Sequence, residues 1–265
     1  VVFFLVPALT QLYVSLQDGN FEVGYTFQWN WSTYSEAIAD YDEQFLRSLR
    51  YAGGATLLAF AISFPLAYFM AFKAGRWRNV MLLLIVLPFF TSYLMRTVAW
   101  QTILSDNSFV ADRLRDVGLL ADDGRLLATT TAVIAGITYN FLPFMALPLY
   151  VALEKIDRRL IEAATDLYAS RSQAFLRVTL PLALPGIFAG TLLTFIPAAG
   201  DFINAELLGT SRQYMIGNVI QSKFLEVTDY PAAAALSFLL MAALLLAVLA
   251  YARVLGARNL EEAVL

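Results

Sequence analysis

Two carboxylates next to a long apolar stretch are the residues whose types and spacing best suit chemistry. Asp201 lies at the end of that stretch, and Glu206 follows five residues later. Charges at membrane depth are costly, which makes them default candidates for function. Carboxylates attract cations, and aromatic faces add cation–π attraction. The aromatic residues expected at comparable depth are Tyr93, Trp100, Tyr139 and Phe202.

Arg96 supports a second interpretation of Asp201. It is predicted near the same outer membrane depth, so the two side chains could form a structural ion pair between spans instead of a solute site. Both interpretations stay open at the level of sequence. Asn140 lies among apolar residues, and we interpret it as an interhelical hydrogen-bonding residue.

Composition excludes several kinds of chemistry. The 265 residues include no Cys and no His, which rules out disulfides, thiol nucleophiles and histidine triads. No G-x-x-x-x-G-K-[ST] phosphate loop occurs, so the chain has no recognisable ATPase site of its own. A net charge of −3 gives no reason to expect a nucleic-acid partner.

The apolar bulk that must position these residues indicates an integral membrane protein. Hydrophobic residues make up 59% of the chain and charged residues 15%, against about a quarter charged in soluble domains. A bilayer core about 30 Å thick needs roughly 20 apolar helical residues. The sequence therefore predicts an all-α, single-domain membrane protein over 1–265, with spans at 51–72, 80–98, 126–153, 181–202 and 231–251.

A sixth span is predicted at 1–15, which is apolar but short. Because the apolar run starts at the first residue, which is not Met, we interpret this span as truncated, with the missing part carrying a cytoplasmic N-terminus. The alternative is the remainder of a signal peptide, although no small-residue cleavage site follows before Gln11.

Charge asymmetry predicts the orientation, because positive residues near span ends stay in the cytoplasm. Alternate connections are acidic, at 18–43 and 106–123. We therefore expect cytoplasmic termini and three cytoplasmic basic segments. Their positive residues are Lys73, Arg76, Arg78, Lys155, Arg158, Arg159, Arg171, Arg177, Arg253 and Arg258.

The polar segment 154–180 has the pattern of two short helices. Apolar residues recur at helical spacing over 156–167, with charged residues on the remaining surface. Ser170 and Gln173 then match a capping box, which predicts a second helix from Arg171 to about Val178. We expect that helix to end before Pro181.

This segment resembles the EAA loop of permease subunits in bacterial ABC importers. The pattern there is Glu-Ala-Ala, three residues, Gly, nine residues, Ile, any residue and Leu-Pro. Glu162, Ala163, Ala164, Leu180 and Pro181 match it. Tyr168 departs from it, since the family usually has Gly at that turn. Either the turn avoids a positive φ here, or the partner surface differs locally.

The resemblance extends over nearly the whole chain. Segments 87–100 and 197–209 are similar to spermidine/putrescine permeases, specifically to the first of the two permease subunits, although Thr210 replaces a second Gly. The resemblance implies a second related permease subunit, two ATPase subunits that carry ATP and Mg²⁺, and an extracytoplasmic solute-binding protein. It assigns ATPase coupling to Glu162, Ala163, Ala164, Asp166, Tyr168, Arg171, Leu180 and Pro181.

The expected function is that of a non-enzymatic subunit in the bacterial inner membrane, surrounded by lipid, for import of a polyamine. Permeases of this pattern also serve other solutes, such as aminophosphonates or ferric iron. A self-sufficient secondary carrier is a further alternative, but it would not need the docking pattern, and no inverted repeat is evident. A membrane-embedded enzyme would need a cluster of catalytic groups that the composition does not offer.

Overall fold

The computed structural model describes residues 2–121 and 123–262, which form a helical membrane bundle. Val1 and 263–265, at the edges of the predicted domain, lie outside the described residues. The helices are α1 (Val2–Ser15), α2 (Ser32–Phe72), α3 (Arg78–Val86), α4 (Tyr93–Ile103), α5 (Phe109–Asp116), α6 (Thr130–Glu154), α7 (Arg158–Asp166), α8 (Arg171–Ala174), α9 (Leu180–Ala199), α10 (Ile203–Leu208), α11 (Ile216–Leu225) and α12 (Tyr230–Glu262).

Four helical stretches in the described part of the chain are long and apolar enough to cross a membrane. They are Ser32–Phe72, Thr130–Glu154, Arg171–Ala199 and Tyr230–Arg253. Helix α1 contributes only the shorter apolar stretch Leu5–Ser15. The all-α membrane class is confirmed, whereas six complete spans are not seen: four stretches qualify, or five if a bent pair of helices counts as one.

That bent pair corrects the span predicted at 80–98. Segments Gly75–Phe90 and Tyr93–Ile103 meet at an angle of 98° instead of forming one straight helix. The break follows Pro88, where a short 3₁₀ turn gives way to extended backbone at Thr91 and Ser92. Proline removes a backbone donor and disrupts the helical repeat, which explains the break. The bend turns α4 toward the interior of the bundle.

Helix α6 is the central element, because α2 and α9 both pack against it. Thr129 begins it by accepting a hydrogen bond from the Ala132 amide at 3.1 Å. Its contact with α9 depends on small residues. A Cβ atom at Gly186 would lie 2.4 Å from the Ala152 Cβ and 2.7 Å from the Pro148 carbonyl oxygen. The backbones of α6 and α9 therefore lie so close together here that only glycine fits at position 186.

Gly186→Ala is expected to destabilise the bundle, because the added methyl group meets rigid atoms of α6 and forces the helices apart. We expect a loss of about 1–3 kcal/mol, in the range for overpacked cores. Gly53→Ala is the matched control, since Gly53 lies in α2 with nothing within 4 Å of its Cβ position. Thermal unfolding midpoints in mild detergent should fall for Gly186→Ala only, and equal midpoints would contradict this packing argument.

A two-stranded hairpin precedes α2 and was not predicted from the sequence. Strands β1 (Gln17–Asn20) and β2 (Gly24–Phe27) pair antiparallel, with Gln17 opposite Phe27. The Asn20 side chain accepts hydrogen bonds from the amides of Glu22 and Val23, which fixes the turn. The hairpin contacts the connection between α11 and α12 through the Tyr25 hydroxyl, which donates to the Thr228 carbonyl.

Candidate functional site

The segment 154–180, which we call the coupling loop, begins with the predicted amphipathic helix. Helix α7 spans Arg158–Asp166, and the Asp157 side chain caps it by accepting from the Arg159 amide at 3.0 Å. The predicted capping box is also present. The Gln173 amide donates to Ser170 Oγ at 3.3 Å, and the Ser170 amide donates to Gln173 Oε1 at 2.8 Å. Local side-chain chemistry thus divides the loop where expected.

The second helix does not end before Pro181, and that prediction was wrong. Residues Arg171–Ala199 are helical throughout, with a π-helical turn at Phe175–Thr179. In that turn the Leu180 amide donates to the Phe175 carbonyl, five residues back. The wider turn accommodates the missing donor and the ring of Pro181, which would clash in a regular α-helix. The coupling loop therefore runs into the span α9 without a break.

Tyr168 adopts a left-handed backbone conformation at the position where the EAA pattern usually has Gly. Its φ is +63°, and its side chain is 97% exposed. The turn therefore does not avoid positive φ, which settles one of the two alternatives posed by the sequence. A side chain in this region costs on the order of 1 kcal/mol relative to glycine. Because the Tyr168 ring is almost fully exposed, no contact with the described residues offsets this conformational cost.

Tyr168→Gly is expected to stabilise the turn by up to about 1 kcal/mol, because glycine adopts positive φ without the Cβ clash. Amide hydrogen exchange over 166–170 should slow correspondingly. Tyr168→Ala is the control, since it removes the ring but keeps the strain, and its exchange should stay near that of the parent chain. Faster exchange in Tyr168→Gly would show that the ring, and not the backbone, stabilises this turn.

Polar contacts attach the coupling loop to the end of α2. The Arg158 guanidinium donates to the carbonyl oxygens of Ala71 and Phe72 at 3.2 and 3.1 Å. These are terminal carbonyls of a helix, which cations stabilise. Arg78 forms an ion pair with Glu154 beside them. The basic segments at 73–78 and 154–158 therefore lie at the same end of the bundle, as the orientation rule requires.

The surface of the coupling loop that faces away from the helical bundle has no partner within the described residues. Ile161 packs toward the core, while Glu162, Ala163, Asp166 and Arg171 are exposed. Exposed apolar side chains surround these polar ones: Leu160 at 49%, Leu167 at 82% and Leu176 at 58%. Ala164 and Leu180 are half-buried, and Pro181 is exposed. This mixture of apolar and charged groups is typical of a protein-binding surface.

The second predicted group of residues centres on Asp201, which is buried just beyond the C-terminal end of α9. One carboxylate oxygen accepts from the Asn204 amide at 3.0 Å. The other accepts from the Tyr93 hydroxyl and from Asn204 Nδ2. Asn204 Nδ2 also donates to the Tyr93 hydroxyl, at 2.6 Å. Asp201 therefore joins α4 to the start of α10, and donors of this chain occupy both of its oxygens.

The cluster extends to α6 through Asn140. Its Nδ2 atom donates to Thr97 Oγ1 at 3.1 Å and to Asn204 Oδ1 at 3.2 Å. The interhelical hydrogen bond predicted for Asn140 is present. Thr97, Asn140 and Asn204 are all buried, so a chain of hydrogen bonds connects three elements inside the membrane region.

Arg96 does not form an ion pair with Asp201 in the described structure, so this interpretation was wrong. The guanidinium lies over the Phe89 ring at 4.7 Å and over the Tyr93 ring at 5.6 Å. Tyr93 thus stands between the two charges, with its ring facing Arg96 and its hydroxyl donating to Asp201.

The other predicted solute contacts do not converge on Asp201. Trp100 and Tyr139 contact each other edge to face, with ring centroids 5.4 Å apart. Phe202 contributes its carbonyl oxygen, which accepts from Asn218 Nδ2 at 2.9 Å. Glu206 is exposed and lines a separate cavity of about 450 Å³ that also contains Tyr41, Tyr214, Lys223 and Glu226. The two carboxylates therefore lie in different surroundings.

Sequence reasoning missed two members of the buried cluster, Thr97 and Asn204. Asn204 follows Asp201 by three residues, the spacing at which an Asp side chain accepts from the backbone at a helix start. That signal was available in the sequence. No local pattern marks Thr97, whose contact with Asn140 depends on how α4 is placed by the bend.

Comparisons with known proteins agree with this architecture. Residues 63–260 match the family described as the inner membrane component of binding-protein-dependent transport systems. The chain is 39% identical to the spermidine/putrescine transport system permease protein PotB of Haemophilus influenzae, over 96% of this chain and 89% of that protein. It is 40% identical to PotB of Escherichia coli strain K12, over 80% and 78%.

A solved structure shares the fold. It is a bacterial alginate ABC transporter in complex with its alginate pentasaccharide-bound periplasmic protein, with a TM-score of 0.64 and 22% identity over 82% of this chain and 84% of that one. This chain accordingly belongs to the family of inner membrane components of binding-protein-dependent transport systems.

Proposed function

We propose that this chain is a permease subunit of an ATP-driven importer and that it forms half of the translocation pathway for a polyamine. The observation that carries the proposal is its identity of 39% to a spermidine/putrescine permease over nearly its whole length. The exposed surface of the coupling loop supports the idea that ATP is hydrolysed on a separate subunit. A permease without an ATPase site must contact a subunit that has one.

In this proposal the coupling loop transmits ATP-driven motion to the membrane. ATPase subunits, which carry ATP and Mg²⁺, contact the exposed residues in and just after α7, which are Leu160, Glu162, Ala163, Asp166, Leu167 and Tyr168. Ala164, Arg171, Leu180 and Pro181 complete the coupling element. The continuous helix Arg171–Ala199 supports this idea, because displacement of its loop end moves the whole span α9. The Arg158 and Glu154 contacts pass the same motion to α2 and α3.

The remaining partners follow from the family. A second related permease subunit completes the pathway, and an extracytoplasmic binding protein delivers the solute. The coupling loop and both termini face the cytoplasm in this proposal, and lipid covers the exposed apolar surface of the spans. Tyr93, Arg96, Trp100, Tyr139, Asp201, Phe202 and Glu206 remain candidates for the solute pathway.

Reconstitution tests the proposal directly. The chain is co-expressed with the second permease and the ATPase subunits, purified in mild detergent and placed in liposomes with ATP. We expect an ATPase subunit to copurify and labelled spermidine or putrescine to enter only with ATP and the binding protein. Uptake without an ATPase subunit would favour a secondary carrier. ATP-driven uptake of ferric iron or an aminophosphonate instead of polyamines would overturn the proposed substrate alone.

A further inference from the structure

The turn that ends α7 has the hydrogen bonds of a Schellman motif. The Ala169 amide donates to the Ala164 carbonyl at 3.1 Å, and the Tyr168 amide donates to the Thr165 carbonyl at 3.0 Å. In this motif the residue at the position of Tyr168 takes the left-handed conformation, and glycine is the usual residue there. The φ of +63° at Tyr168 therefore follows from the way in which the helix ends. The chain places a bulky aromatic side chain where glycine would avoid the strain.

The Tyr168 ring does not stabilise the turn through packing. It is 97% exposed, and its hydroxyl forms no hydrogen bond within the part of the chain that the structure describes. Strained backbone conformations of this kind occur mainly at sites that contact a ligand or a partner. The contribution of the ring therefore has to come from a contact outside this chain.

Helix α7 has two apolar stripes, and only one of them faces the bundle. Ile161 packs against the core. Leu160, Ala163 and Leu167 form the second stripe, at the helical spacing i, i+3 and i+7, and all three are exposed. Tyr168 follows this stripe directly at the helix end. A second, uncovered apolar stripe on so short a helix indicates contact with another protein, and it continues the surface proposed for ATPase coupling.

The charges beside the exposed stripe indicate what kind of partner covers it. Glu162 and Asp166 lie one helical turn apart, are exposed, and form no ion pair with the described residues. A complementary surface therefore has basic groups next to an apolar depression. Tyrosine is among the residues that most often dominate the binding energy of an interface when a partner pocket buries the ring.

We propose that Tyr168 is the specificity-determining residue of the coupling contact and that its ring enters an apolar pocket, flanked by basic groups, on the ATPase subunit. The inference rests on the proposed function because it requires an ATPase subunit. It extends that function by assigning the choice of ATPase to one side chain. An ATPase that serves permeases with glycine at this position needs no such pocket, so it is a poorer partner for this chain.

Replacement of Tyr168 should have opposite effects on the free chain and on the complex. Tyr168→Gly relieves the strain in the turn but removes the ring, so its affinity for the ATPase subunit should fall at least tenfold. Tyr168→Ala should lose at least as much. Tyr168→Phe keeps the ring and should stay within about threefold of the parent. The measurement is the dissociation constant of purified ATPase subunits for the two-permease complex in lipid nanodiscs.

Trp29→Gly is the matched control. Trp29 also has a positive φ, +51°, and an exposed aromatic ring, but it lies in the connection between β2 and α2. Its replacement should leave the affinity for the ATPase subunit unchanged. A second arm uses an ATPase subunit from an importer whose permease has glycine in place of Tyr168. That subunit should bind Tyr168→Gly at least as tightly as the parent.

Several outcomes would overturn the inference. Equal affinity of the parent and Tyr168→Gly for the ATPase subunit would remove the proposed pocket contact. A loss in Tyr168→Phe as large as that in Tyr168→Gly would assign the contact to the hydroxyl and contradict an apolar pocket. An equal loss in Trp29→Gly would show a general effect on the fold. Failure of the parent complex to bind any ATPase subunit would instead count against the proposed function, so the two failures are distinguishable.

Discussion

Glu162→Arg should abolish most ATP-driven uptake while leaving the chain folded in the membrane. Glu162 is exposed on α7, and its carboxylate forms no hydrogen bond or ion pair with the described residues, so reversing its charge costs this chain little. Any large effect must therefore arise at a partner. Loss of one charged hydrogen bond amounts to about 1.5–3 kcal/mol, which corresponds to roughly a tenfold or larger loss of coupled transport.

The measurement is ATP-dependent uptake together with ATPase activity in liposomes. Glu36→Arg is the matched control, because Glu36 is also an exposed helical glutamate. It lies near the start of α2, whereas the coupling loop contacts the C-terminal end of that helix. We expect the control to transport normally. Normal assembly, ATPase activity and uptake by Glu162→Arg would remove the basis for assigning Glu162 to the coupling contact.

Asp201→Ala is expected to destabilise the chain more than any other single change in the buried cluster. The Tyr93 hydroxyl, the Asn204 amide and Asn204 Nδ2 would all lose their acceptor. Each unsatisfied buried donor costs about 1–3 kcal/mol, so the total loss is about 3 kcal/mol or more. The thermal unfolding midpoint in mild detergent should fall clearly, and the amount of protein in the membrane should fall with it.

Tyr93→Phe separates this structural role from a role in binding solute. It removes a single donor and leaves Asp201 bonded to Asn204, so we expect a loss of about 1.5–3 kcal/mol, smaller than that of Asp201→Ala. If Asp201 and Glu206 guided cations instead, Asp201→Asn with Glu206→Gln would raise the polyamine concentration needed for uptake at unchanged stability. A stable Asp201→Ala chain with weakened uptake would contradict the structural interpretation.

Local chemistry predicted most of the coupling loop. The capping box of Ser170 and Gln173 and the helix over 158–166 both follow from interactions within a few residues. Composition and span length in turn predicted the membrane class. Pro181 was misleading, because its effect on a helix depends on whether the backbone can widen into a π-turn. No residue pattern in 171–180 announced that turn.

The buried cluster was only half predictable for a different reason. Asp201 and Asn140 stood out because polar groups are rare in apolar stretches, whereas Tyr93 was selected as an aromatic face for a cation and not for its hydroxyl. Their partners depend on the 98° bend between Phe90 and Tyr93, which rotates α4 toward α6 and α10. A single straight span placed Arg96 beside Asp201, whereas the bend places Tyr93 between them. Long-range geometry, not residue type, decided which polar groups meet.

In the proposed transport cycle the continuous helix Arg171–Ala199 would transmit motion as a rigid rod. At 1.5 Å per residue its 29 residues measure about 43 Å, so a tilt of about 10° at the coupling loop would displace the other end by about 7 Å. That end stops two residues before Asp201. A shift of this size exceeds the reach of a hydrogen bond. A small rotation at the ATPase side would therefore have to break the Asp201 cluster or carry α4 and α10 along with it.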